Sequence, residues 1–134
     1  MSRAIYIASK TVHAPRWRAL RGQGLRIVSS WIDAPPVVPD EKMPALWTRC
    51  VREASTADVT LVYREHHREV LKGALVEMGA ALGAGKPVLW VGPIGGFTGA
   101  ESDYTVAHHP GVVRFEQDEL DYALRWIEQL GERN

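Results

Sequence analysis

A chain of 134 residues has room for one hydrophobic core and none for a second domain of ordinary size. Sixteen basic residues against sixteen acidic ones leave no electrostatic footprint for duplex nucleic acid, and no apolar run approaches a membrane span. The lone cysteine, Cys50, excludes an internal disulfide and fits a reducing, cytoplasmic setting.

Ala4 to Ala8 is a short β-branched and aromatic run that predicts a first strand, too short for a secretory signal. Ser9 to Ala14 is a polar connection. Pro15 then opens a helix with Trp17 and Leu20 inward, closing near Gly22 or Gly24. Leu25 to Ser29 predicts a second strand, and Ser30 to Met43, with Pro35, Pro36 and Pro39, a loop. Pro44 starts a helix whose apolar positions are Leu46, Trp47, Cys50, Val51 and Ala54. Asp58 to Tyr63 is a third strand. A helix over Val70–Gly85 follows, and Gly85-Lys86-Pro87 stops it. Pro87 to Val91 is a fourth strand and Gly92 to Gly99 a glycine-rich loop. Val112 to Phe115 is a fifth strand. Asp118 to Leu130 closes the chain as a helix with Leu120, Leu124, Ile127 and Leu130 inward.

Strands and helices alternate, and the strands are continuous apolar runs. That predicts one α/β domain over residues 1–134: a three-layer sandwich around a five-stranded parallel sheet, flavodoxin- or Rossmann-like, in the order 2-1-3-4-5. Ligands of such sheets bind beyond the carboxyl ends of the strands. The loops Ser9–Ala14, Ser30–Met43, Arg64–Glu69 and Gly92–His109 therefore form the expected rim.

Between Val70 and Gly85 the only charged residues are Lys72 and Glu77. Val70, Leu71, Ala74, Leu75, Met78, Ala81 and Leu82 make a core stripe, and what remains is small: Gly73, Val76, Gly79, Ala80, Gly83 and Ala84. A helix apolar nearly all round is buried on more than one side, which points to self-association, most simply a homodimer. At 100° per residue Glu77 points about 120° from the Leu71–Leu75–Leu82 line, and its i±3 and i±4 neighbours offer no cation. Gly73 leaves room above it for another molecule. Two readings fit: an exposed glutamate in an alanine-rich helix, or a desolvated carboxylate facing a ligand.

Tyr6-Ile7-Ala8-Ser9, Ala57-Asp58, and the run Lys72-Gly73-Ala74-Leu75-Val76-Glu77-Met78-Gly79 leading through Gly85-Lys86-Pro87-Val88 resemble the nucleoside 2-deoxyribosyltransferase family and its nucleotide N-hydrolase relatives over residues 4 to 92. The resemblance implies that Glu77 is a nucleophile that attacks the anomeric carbon, expels the base and forms a glycosyl-enzyme ester. It implies that Tyr6 holds the carboxylate's rotamer and that Ala8 and Ser9 meet the substrate or its phosphate; Gly73 and Gly79, on the same helix as Glu77, are further substrate-binding candidates. Two aspartates of the transferases are replaced, by Leu71 and Cys50, and no serine stands at Leu71-Lys72-Gly73 where the hydrolases bind phosphate. These departures favour a hydrolase or a divergent member over a standard base-exchanging transferase.

Trp31 and Asp33 follow the second strand, where they can stack on and hydrogen-bond a base, or simply pack under the proline-rich loop. Asp58 reads as a turn cap. His66-His67 and His108-His109 are adjacent pairs that splay apart in extended chain, so no metal site or cofactor is expected. One of them, or His13, Asp103 or Tyr104, is a candidate to protonate a leaving base. The Gly92-Pro93-Ile94-Gly95-Gly96 loop lacks a dinucleotide-binding spacing, and Ala80–Pro87 fails as a phosphate loop. The expected partner is a small nucleoside or nucleotide, cleaved by an N-glycosidase or, alternatively, held by a non-catalytic sensor of the same fold.

Overall fold

A computed structural model describes residues 2–96, 98 and 101–132, so Gly99 of the glycine-rich loop lies outside the described residues. Strand β1 (Ile5–Ala8) leads into helix α1 (Ala14–Gly22). Helix α2 (Met43–Thr56) precedes β2 (Val59–Tyr63), and α3 (Gly73–Gly83) precedes β3 (Val88–Val91). Strand β4 (Val112–Phe115) and helix α4 (Leu120–Glu132) complete the order. No helix among the described residues is long and apolar enough to cross a membrane.

The strands pair in parallel in the order β1-β2-β3-β4, with Ile5 beside Val59, Thr60 beside Val88 and Leu89 beside Val113. Every residue of β1, β2 and β3 is buried, so helices cover both faces, as continuous apolar strands require. Asp58 is structural, though its bond is not the expected turn cap: its Oδ2 accepts from Ala4 N–H at 2.7 Å, tying the start of β2 to the residue before β1.

Among the described residues the sheet has four strands where the sequence predicts five. Leu25–Ser29 does lie along the outer edge of β1, but it makes a single bridge, Ile27 to Ile5. Ile5 N–H donates to Arg26 O and Val28 N–H to Ile5 O, each at 2.9 Å. The ladder then stops, because Ile7 N–H turns to Ser29 Oγ and Ile7 O accepts from Trp31 Nε1 at 2.7 Å. Two side chains take the place of a strand's backbone. Helix α3 also begins later than expected, at Gly73, leaving Val70 to Lys72 as connection.

Candidate active site

Beyond the carboxyl end of β1 lies a cleft of about 830 Å³, within the size range of small-molecule sites, roughly 300–1,000 Å³. Its walls come from the β1–α1 connection, α1, the proline-rich segment, α2 and the start of α3. Glu77 lines it, yet is only 7% exposed. The carboxylate is thus both desolvated and turned towards a cavity, the second of the two environments open to it from the sequence.

Tyr6, the second residue of β1, donates its hydroxyl to Glu77 Oε2. Among the described residues no lysine, arginine or histidine forms an ion pair with Glu77. Burial pushes its carboxyl up to about 7. Hydrogen bonds from Tyr6 and Cys50 oppose that shift, and the negative charge of Glu53 adds to it. Burial and the neighbouring Glu77 carry the Tyr6 phenol far above its ordinary value, so it stays a neutral donor. Burial likewise raises the Cys50 thiol, to about 11, keeping it protonated beside the carboxylate. A nucleophile needs a lone pair that no cation has claimed, and this arrangement supplies it.

Of the residues singled out from the sequence, the structure gathers Glu77, Tyr6, Ser9, Trp31 and Gly73 at or around this cleft. Ser9 Oγ accepts from Trp17 Nε1 at 2.8 Å, and Trp31 is anchored by its bond to Ile7 O. Ala8 is buried in the ladder beside Val62. Gly79 is exposed, two residues along α3 from Glu77, and lies outside the cleft lining. Asp33 also lies outside it, tied to Arg21 by two bonds of 2.8 Å, and that guanidinium holds its carboxyl below the usual range. The room expected above Gly73 is taken by the chain itself: a Cβ there would meet Trp47 Cη2 at 2.9 Å.

The candidate proton donors sit elsewhere. Tyr104 accepts from Leu71 N–H, Asp103 accepts from the Thr98 hydroxyl, and His108 and His109 contact Ser102 and Gly111. His13, Glu65 and Glu69 bring three ligand-type atoms within 4.8 Å of one another. Their own bonds occupy them: His13 Nε2 lies 2.8 Å from Glu69 Oε2, and Arg16 reaches Glu65 at 3.1 Å.

Three cations of the cleft were not assigned to a site from the sequence. Lys10, Arg18 and Lys72 line it, against Glu77 as its sole acid among the described residues. Lys72 carried a signal, as the only other charge in its segment. Lys10 and Arg18 carried none, being ordinary cations of a loop and a surface helix. Leu71 and Cys50 line the cleft as well.

No protein-family model matches the sequence, and no curated protein matches it. Among solved structures, the chain is similar to a CMP N-glycosidase from Clostridium botulinum, BcmB, at 14% identity and a TM-score of 0.57, over 96% of this chain and 99% of that one. At that identity the likeness shows a shared fold.

Proposed function

We propose that this chain cleaves the N-glycosidic bond of a nucleotide, with Glu77 as the nucleophile. The observation that carries the proposal is a buried carboxylate without a cation, held by Tyr6 at the edge of an 830 Å³ cleft beyond β1. A Glu77 oxygen attacks the anomeric carbon as the bond to the base nitrogen breaks, its electron pair leaving with the base. The base takes a proton from cleft water. A second water then attacks the anomeric carbon of the ester, releasing the sugar, a proton and free Glu77 carboxylate. These steps call for no cofactor.

Three cations against one carboxylate favour a phosphate-bearing substrate over a neutral nucleoside. The shared fold with an enzyme named for CMP points the same way. Leu71 and Cys50 in place of aspartates favour water over a second base as acceptor. Self-association belongs to the same proposal, through the exposed Val76, Gly79 and Gly83 of α3.

One observation favours the alternative of a non-catalytic nucleotide sensor: none of the candidate proton donors lines the cleft. Incubation with nucleosides and 5′-monophosphates, followed by chromatography for free base, separates the two. Base release that falls roughly a thousandfold or more in Glu77→Gln, with a glycosyl ester on Glu77 trapped by mass spectrometry, is the expected result. Full activity in that variant would end the nucleophile assignment, and binding without base release would favour the sensor.

A further inference from the structure

Of the five tryptophans, Trp17 and Trp90 are fully buried, Trp31 nearly so and Trp126 partly. Trp47 is 39% exposed. Helical periodicity puts it on the inner stripe of α2 with Leu46 and Cys50, but what that stripe meets here is the cleft, which all three line. A large indole left open to water forgoes the burial that favours folding, and inside a concave site that deficit can be made good by a ligand.

The ring is also held in place. Its Cη2 and Cζ2 edge packs at Gly73, where a Cβ would lie 2.9 Å from Cη2 and 3.4 Å from Cζ2. Gly73 opens α3, one helical turn before Glu77, so the indole is seated against the same helix that carries the carboxylate. The cleft's other contributions divide by element. Pro35, Pro36, Met43 and Leu46 come with Trp47 from the proline-rich segment and α2; Lys10 and Arg18 come from the β1–α1 connection and α1.

We propose that Trp47 is the stacking platform for the ligand's planar base, and that Gly73 lacks a side chain in order to seat that ring. A flat heterocycle needs no particular hydrogen bonds to stack on an indole, so the platform would set the class of ligand rather than the identity of the base. The assignment rests on the nucleotide reading of the cleft but not on the cleavage chemistry.

The test uses the Glu77→Gln protein, to prevent turnover, titrated with cytidine and adenosine 5′-monophosphates and with ribose 5-phosphate. Either nucleotide should quench indole emission, and Trp47→Phe should remove most of that quenching while nearly preserving affinity. Trp47→Ala and Gly73→Ala should weaken nucleotide binding, read by calorimetry, by roughly 5- to 100-fold, as for loss of one base–aromatic stack. Ribose 5-phosphate, which has no base, should bind all of these proteins alike.

Nucleotide affinity unchanged in Trp47→Ala, or quenching that survives Trp47→Phe, overturns the platform. No binding of any of the three compounds to any of these proteins overturns the platform and the nucleotide reading together. Trp47-dependent binding by a wild-type protein that releases no base removes the cleavage reaction and leaves the platform standing.

Discussion

The carboxyl ends of β1 and β2 each bury a charged side chain, and the fold surrounds the two in opposite ways. Arg64, immediately after β2, is wholly buried and forms no ion pair among the described residues. Backbone carbonyls surround it instead. Its Nε donates to Glu69 O, Nη1 to Pro93 O and Gly95 O, and Nη2 to His67 O, at 2.6–3.0 Å, and its guanidinium carbon lies 4.7 Å from the Tyr104 ring centre. Gly92 is required for this: at φ +124° its missing Cβ would sit 1.9 Å from Arg64 O. Among the described residues Glu77 is hydrogen-bonded by a phenol and a thiol and paired with no cation, and it has a cavity in front of it. A buried charge ringed by acceptors staples two loops and has nothing left to offer a ligand. One left under-solvated at a cleft is destabilised, and that is the state a nucleophile needs.

Removing the staple should have the largest effect. Arg64→Met keeps the volume but orphans four carbonyls, at about 1–3 kcal/mol for each that water cannot reach. A loss on the order of 4 kcal/mol, or a Tm lower by roughly 10–20 °C, is expected in denaturant and thermal unfolding. A loss under about 1 kcal/mol would mean that the carbonyl ring does not hold the loops, and the contrast with Glu77 would fail.

Removing the charge at Glu77 should do the reverse. Its folded value, about 7, lies above the ordinary carboxylate value of 4.5, so the folded state binds the proton more tightly. The stability this contributes is complete below about pH 4.5 and is lost as pH rises through 7. Glu77→Gln stays neutral at every pH and can still accept from Tyr6. It should therefore match the wild type near pH 4 and exceed it above pH 7 by about 3 kcal/mol, from 1.36 kcal/mol per pKa unit. The wild type's base-release rate should run the other way, rising about tenfold per unit up to pH 7 and levelling beyond. A stability difference between the two proteins that stays flat from pH 4 to 8 would show that Glu77 is not desolvated.

The two buried charges also differ in how far the sequence announces them. Glu77 stands out because its helix is otherwise almost free of charge, so one carboxylate among small residues is a visible anomaly. Arg64 sits in Tyr-Arg-Glu-His-His, which reads as a solvated loop, and its partners are backbone carbonyls, which every residue carries and no side-chain pattern marks. Trp47 is half legible, since helical spacing finds the inward face of α2 but cannot tell a core from a cavity. The strand–helix alternation was readable because β1, β2 and β3 are buried on both faces and must be apolar throughout. Leu25, Ile27 and Val28 follow that signature apart from the exposed Arg26, yet the ladder is not completed, because the side chains of Ser29 and Trp31 take the Ile7 amide and carbonyl.

That serine supplies the neutral counterpart of the two charges, and the smallest expected effect. Ser29 is buried, and its Oγ accepts from Ile7 N–H at 3.0 Å where a fifth strand would have offered a carbonyl. Ser29→Ala leaves that amide without its acceptor, at about 1 kcal/mol, well below the cost of losing four bonds to a guanidinium. Hydrogen exchange should show the change locally, with the Ile7 amide less protected and the β2 and β3 amides unaltered. If the edge instead slides until a carbonyl of the 25–29 segment reaches Ile7, protection would persist and the bridge would lengthen into a strand. In that case the apolar run has the strand tendency its composition suggests, and the serine alone holds it back.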